Sequence, residues 1–286
     1  MQLTTTLRKP LAPPWLAHAL QALSAELKDA RYFQILYLAG FMLFGIMSLG
    51  WESDILKYSA VFTTCIAVQM IGAWWTGKPY SSVKSALISA LGLCLLLKSG
   101  SVYVLMLAAA LSIGSKFVIR FKGKHLFNPT NFGIIITLLL CNDAWISPGQ
   151  WGREAIMMYF VGAAGLMIIF KVGRVDVSLA FLVTFALLEY TRMVAYQGWE
   201  TEVWMHKLLN GSVLLFTFFM ITDPVTTPNA KGARLVWAAL VAALTFYLSS
   251  YMFVHTAPVW ALFFISPLTV IFDTLFKGRQ FKWINA

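Results

Sequence analysis

The sequence predicts an all-α integral membrane protein of about ten transmembrane helices, and three observations predict it. Of 286 residues, 59% are hydrophobic and only 12% charged, against roughly 45–50% apolar in soluble domains, and the mean hydropathy is +0.73. The apolar residues gather into ten segments close to the length of about 20 residues that a helix needs to cross a bilayer. With the N-terminus inside and the spans alternating, 17 of the 22 Lys and Arg fall inside, and only Lys57, Lys98, Arg153, Arg192 and Lys207 fall outside. That asymmetry places both termini in the cytoplasm.

Residues 1–31 are expected to form a cytoplasmic tail and residues 32–286 a single membrane domain. In the tail, Pro13 and Pro14 precede Trp15, Leu16, Leu20, Leu23 and Leu27 at helical spacing, opposite Gln21, Ser24, Glu26 and Lys28. This pattern reads as an amphipathic helix lying on the inner membrane surface. No unbroken apolar stretch precedes the first span, so no cleavable signal peptide is expected.

The ten spans fall near Phe33 to Leu49, Tyr58 to Trp75, Ser82 to Leu97, Val102 to Ile119, Asn131 to Trp145, Ala155 to Phe170, Val177 to Tyr190, Leu208 to Ile221, Leu235 to Val254 and Pro258 to Phe272. The fifth, seventh, eighth and tenth are short, which suits segments buried in a bundle or broken near its midplane. All eleven Trp lie at or near span ends or in flanking segments, Trp237 among them on the inner side, as an aromatic belt predicts.

Composition excludes several function classes. The net charge of +10 punctuates apolar spans instead of forming a basic face, so it records topology and not a nucleic-acid partner. Cys65, Cys94 and Cys141 stand in or at the end of apolar runs with no metal-ligand spacing, and read as packing thiols. No Walker loop, G-x-G-x-x-G or H-E-x-x-H occurs, so nucleotide and zinc hydrolysis have no support.

Two short matches suggest an internal repeat. Ser81-Ser82-Val83 opens the third span and Gly211-Ser212-Val213 the eighth, while Pro129 opens the fifth and Pro258 the tenth. The offsets would divide the chain into two inverted five-helix repeats, about 32–146 and 153–276, with ligand sites between corresponding broken helices.

Polar groups then stand where a membrane protein is expected to be apolar. Asn128 precedes Pro129 at the start of the fifth span, the arrangement of an N-cap followed by Pro in the first turn. A helix start of this kind can receive an anionic or carbonyl-rich ligand. Thr222-Asp223-Pro224 ends the eighth span, on the same inner side. Capping and turn chemistry explains either alone; Asn131 and Thr222 inside the helical pattern point to a ligand site.

The strings Phe127-Asn128-Pro129 and Phe218-Phe219-Met220-Ile221-Thr222-Asp223-Pro224-Val225-Thr226 resemble the NqrB/RnfD family of membrane flavoprotein subunits. The resemblance covers nearly everything after the tail. It implies a urea-transporter-like fold and an electron-transfer subunit of an ion-translocating oxidoreductase, a redox subunit and not a complete enzyme. It also implies bound flavin, riboflavin or FMN, beside Asn128, Pro129, Asn131, Thr222 and Asp223. The bacterial cytoplasmic membrane is the implied location, and other redox subunits, a soluble electron donor or a quinone are the implied partners.

One departure bears on the cofactor. Family members that hold FMN covalently use the Thr of a Ser-(Gly/Thr)-Ala-Thr motif, where this chain has Asn210-Gly211-Ser212-Val213. Val213 has no hydroxyl, and Ser212 is displaced by one position, about 100° around a helix. A noncovalent outer flavin or none is therefore expected, with Ser212 as the substitute attachment site to test. The chain is in this respect similar to NqrB/RnfD-like proteins outside the pumping complexes, including those associated with enediyne biosynthesis. Two other functions fit the same architecture: a channel for a small neutral solute, and a cofactor-free membrane scaffold.

Further polar residues carry weaker signals. His206 and His255 read as interfacial groups in preference to haem ligands. Lys116, Arg120, Lys122 and Lys124 read as a solvated inner loop, with anionic lipid or phosphate binding as the alternative. Glu189 and Asp273 either reach the interface or belong to an ion path.

Overall fold

The computed structural model describes residue 16 and residues 29–51, 54–77, 83–147 and 155–281. The expected surface helix of the tail, apart from Leu16, and the Ser81-Ser82 start of the third span lie outside these residues.

The described residues are mostly helical. The first half runs α1 (Ala30–Ser48), α2 (Ile55–Thr76), α3 (Val83–Leu96), β1 (Leu97–Ser99), α4 (Val102–Val118), a hairpin of β2 (Arg120–Phe121) and β3 (Lys124–His125), α5 (Pro129–Leu140) and β4 (Ala144–Ile146). The second runs α6 (Ala155–Val172), α7 (Val175–Tyr190) continued by a π-helical segment Thr191–Tyr196, α8 (Thr201–Leu208), α9 (Gly211–Leu215) continued by a π-helical turn Phe216–Met220, α10 (Lys231–Ser250), α11 (Ala257–Ile265) and α12 (Leu268–Leu275).

Local chemistry sets the helix starts. The side chains of Asp29, Asp54, Asn128 and Asn210 each accept a hydrogen bond from a backbone N–H in the first turn of α1, α2, α5 and α9, supplying partners that helix geometry leaves missing. At the other end of α2, Gly77 takes the left-handed conformation (φ 62°) that terminates a helix.

Helix lengths and composition identify a multi-pass membrane protein. Four helices, Ala30–Ser48, Ile55–Thr76, Val175–Tyr196 and Lys231–Ser250, are long and apolar enough to span a bilayer singly. Two further spans arise if Thr201–Leu208 with Gly211–Met220, and α11 with α12, are each counted as one segment bent by 46°. The second bend falls at Ser266-Pro267, where Pro removes a backbone donor. The shorter apolar helices are α3, α4, α5 and the Gly162–Val172 part of α6. Large apolar side chains such as Met47, Trp74 and Phe170 lie exposed on the outside of the bundle, as lipid contact requires.

Packing follows one pattern in both halves. Helix α2 packs on α4 and α4 on α5; α7 packs on α10 and α10 on α11. Helix α1 meets α6, and α5 meets α11, across the divide. A Cβ on Gly133 of α5 would stand 2.6 Å from the Ala108 carbonyl oxygen of α4, so this pair requires a residue without a side chain.

Three expectations are corrected. Trp237 is not a belt residue: it is fully buried, and its Nε1 donates to the Ile265 carbonyl at 3.3 Å. The third and fifth spans do not continue as helix to Leu97 and Trp145. They end in β1 and β4, which pair antiparallel with Leu97 opposite Ile146. Leu97 and Ser99 are buried, and the ladder satisfies backbone polar groups that burial would otherwise leave unpaired. The basic run is not simply a solvated loop, since Lys124 is buried and paired, and Lys116 donates to Gln69 at 2.7 Å.

Candidate functional site

The site is organised around the π-helical turn Phe216–Met220. Such a turn makes i→i+5 bonds, here Ile221 N–H to the Phe216 carbonyl at 3.0 Å, and leaves neighbouring carbonyls needing other donors. Side chains supply them. Ser178 Oγ donates to the Thr217 carbonyl at 2.8 Å, Thr222 Oγ1 to that of Phe218 at 2.7 Å, and Asn128 Nδ2 to that of Met220 at 3.3 Å. The cap of α5 thus also fastens the turn of the other half.

Asn131 sits one step deeper. Its backbone N–H donates to Asn128 Oδ1 at 3.1 Å, and its Nδ2 donates to the Val259 carbonyl at 2.8 Å and approaches the Met220 sulfur at 3.8 Å. The side chain is fully buried, and its Oδ1 has no hydrogen-bond partner.

Two cavities flank the turn, one at each end of the Gly211–Met220 helix. The first, of about 90 Å³, is lined by Asn128, Pro129, Thr222 and Asp223, joined by Arg31, His125, Ser85 and Ser89. The second, of about 310 Å³, is lined by Ser212 together with Lys207, Asn210, His255 and Thr256 and by apolar walls that include Phe185, Phe216 and Val213. Of the six residues singled out in the sequence, four therefore meet at one cavity and Ser212 lines the other. Asn131 lines neither.

Electrostatics hold the loop after the turn. His125 Nε2 lies 3.6 Å from Asp223 Oδ2, and the Val225 N–H donates to Asp223 Oδ1 at 3.0 Å. Burial acts to raise the Asp223 carboxyl, but the neighbouring His125, the Val225 amide and the charge of Lys116 outweigh it and hold the group below the usual carboxylate range. Lys124 donates to the Thr227 carbonyl at 2.7 Å and pairs with Asp273 at 2.8 Å. Arg174 donates to the Pro224 carbonyl at 3.2 Å. Burial lowers both cations, Lys124 against the pull of Asp273, and Arg174 with the neighbouring charge of Arg234 added.

Sequence reasoning did not single out Arg31, His125, Arg174 or Lys207 as site groups. For His125 a signal existed: Lys122 and Gly123 both have positive φ (46° and 86°), the geometry of a tight hairpin turn, so Lys122-Gly123 turns Lys124 and His125 back beside Asn128. For Lys207 none existed, because its partners Glu189 (2.6 Å) and Ser250 (3.1 Å) are remote in sequence.

Asn128 and Thr222 spend their side-chain donors on the turn, and about 90 Å³ is below the roughly 300–1,000 Å³ of cofactor pockets. A whole flavin ring does not fit that cavity in this conformation. The Ser212 cavity, at about 310 Å³, reaches the range and offers aromatic and aliphatic walls with polar groups at its rim.

A multi-pass helical membrane protein with two polar-rimmed cavities about a π-helical turn is the class these features define. The model of the NQR2, RnfD, RnfE family matches residues 134–282, over half of the sequence, and the chain belongs to that family. It is 33% identical over 81 residues to a subunit of the ion-translocating oxidoreductase complex of Salmonella arizonae, a match covering 28% of this chain and 23% of that protein. The corresponding subunits of two Escherichia coli strains are 32% identical over 115 residues, covering 38% of this chain and 27% of the relative, and 36% identical over 119 residues, covering 40% and 30%. The matches thus span between about a quarter and three tenths of these relatives' length.

Proposed function

We propose that the chain is an electron-transfer subunit of a membrane oxidoreductase that carries a noncovalently held flavin in the Ser212 cavity. The observation that carries this reading is the cavity itself: about 310 Å³, apolar walls from Phe185 and Phe216, and Lys207, Asn210, Ser212, His255 and Thr256 as polar contacts, in a chain of this family. Family relatives named as subunits of an ion-translocating complex support a multi-subunit setting, with partner redox subunits, a soluble donor or a quinone exchanging electrons with it.

Flavin, when bound, supplies the redox chemistry, and the chain supplies position and electrostatics. Phe185 and Phe216 exclude water from the ring. Lys207, held by Glu189 at 2.6 Å, would offer a bound ring a positioned N–H donor at the cavity wall. Ser212 and Asn210 orient polar substituents without a covalent bond. Asn128, Pro129, Thr222 and Asp223 define a second, narrower position that admits a ring only after widening, with Asn131 behind it.

The repeated packing of α2, α4 and α5 by α7, α10 and α11 supports two five-helix repeats of urea-transporter-like architecture. The four single spans, two bent pairs and four shorter helices then make ten, in a bacterial cytoplasmic membrane with both termini inside.

The test is the visible spectrum of protein purified in mild detergent, followed by acid precipitation. Flavin absorbance released to the supernatant is expected. Absorbance that stays with the pellet would move the assignment to a covalent bond, with Ser212→Ala the variant to examine. A colourless preparation that takes up no added FMN or riboflavin would reject the flavin reading.

A further inference from the structure

The two cavities share part of their walls. Leu96 at the end of α3, Leu215 at the end of α9 and Met220 at the end of the π-helical turn line both. All three are apolar and at most 6% exposed. A residue that lines both cavities stands in the wall between them.

The π-helical turn builds this wall. In a regular α-helix Leu215 and Met220, five residues apart, would be separated by about 140° around the axis. The wider turn, which bonds i to i+5 at Phe216 and Ile221, brings positions five apart towards one face. Phe216 accordingly lines the Ser212 cavity and Phe219 the Asn128 cavity, with Leu215 and Met220 lining both. The Met220 carbonyl accepts from Asn128 Nδ2, and its sulfur lies 3.8 Å from Asn131 Nδ2. Asn131 in turn donates to Val259, which lines the Ser212 cavity. Both asparagines therefore act as positioning residues for Met220.

We propose that the two cavities lie on one path across the bundle, and that Leu96, Leu215 and Met220 form the apolar septum that closes it to water and small polar solutes. Apolar constrictions of this kind exclude water by dewetting, and a polar solute entering one leaves its hydrogen bonds behind. The septum is independent of whether flavin is bound, because it consists of this chain's own side chains. It gives the fold a second function, electrical and osmotic insulation, at the place where its two cavities come closest.

The experiment is solute flux into proteoliposomes of the full chain, read by stopped-flow light scattering with urea and glycerol as probes. The wild type is expected to swell at the rate of protein-free liposomes, and Met220→Gly about tenfold or more faster, as an opened constriction conducts. Met220→Leu, which restores apolar volume, is expected to return to the wild-type rate. Leu215→Ala provides an independent opening should Met220→Gly not give a monodisperse protein. A wild type that already passes urea overturns the proposal and favours a channel; lipid-only flux in both opened variants, when they are folded, overturns it by showing that no path lies behind the septum. The flavin spectrum is read separately, so neither result decides the other.

Discussion

Lys124 and Asp273, 149 residues apart in sequence, meet at 2.8 Å with each side chain less than a tenth exposed. The Asp273 carboxylate also accepts from the Asn229 N–H at 2.7 Å, so one pair ties the β2–β3 hairpin, α12 and the loop after the π-helical turn together. Removing one partner of a buried pair leaves the other charge uncompensated, at a cost of about 3–5 kcal/mol. Asp273→Ala is expected to lower the melting temperature in detergent markedly, and Lys124→Met with Asp273→Leu to recover most of the loss. A melting temperature for Asp273→Ala equal to wild type would contradict the pairing.

The loop has a predictable acid response. Because the Asp223 carboxyl is held below its ordinary value in the folded protein, it contributes stability above the unfolded value of about 3.9. That contribution is lost as pH falls through the lowered folded value. Melting curves from neutral pH downwards should show a shallower acid loss in Asp223→Asn than in wild type. Parallel curves would show that Asp223 carries no such linkage.

Gly133 tests the contact between α4 and α5. A Cβ there would stand 2.6 Å from the Ala108 carbonyl oxygen and 2.7 Å from Ser112 Cβ, and backbone cannot yield as a flexible side chain does. Gly133→Ala is expected to destabilise by about 1–3 kcal/mol, the usual cost of overpacking, measured by thermal unfolding in detergent. Gly162→Ala, where no atom lies within 4 Å of the added carbon, serves as the control. Equal effects of the two substitutions would sink the argument.

Ser178 supplies the donor for the Thr217 carbonyl at 2.8 Å. Ser178→Ala leaves a buried acceptor unpaired and is expected to cost about 1–3 kcal/mol, while Ser178→Thr retains the hydroxyl. Hydrogen exchange of the 214–221 amides should accelerate in the Ala variant; unchanged protection would mean that Ser178 does not support the turn.

Much of the architecture was legible because hydrophobicity and capping are local. Each expected apolar segment contains helix, and Asn128 caps α5 as the Asn-Pro pair predicts. The kink at Ser266-Pro267 is also written in the chain, though it was not singled out. What was hidden depends on partners far along the sequence. Nothing near Lys124 announces Asp273, so a buried cation reads as a loop residue. Nothing near Asn131 announces Val259, so its bracing of a neighbouring helix is not legible locally. The π-helical turn is invisible for a related reason: Ser178 and Asn128, which satisfy two of its carbonyls, stand 39 and 92 residues away in sequence.

The ladder between β1 and β4 bears on how the chain enters the bilayer. Leu97, Lys98 and Ser99 find their partners only when Ile146, Trp145 and Ala144 have been synthesised, so the end of α3 keeps unpaired backbone groups until α4 and α5 are in place. Insertion one helix at a time therefore leaves this half of the molecule incomplete until its last strand is made. A chain cut short at Leu140 should lack the ladder that completes the end of α3 and be degraded faster than the full-length protein.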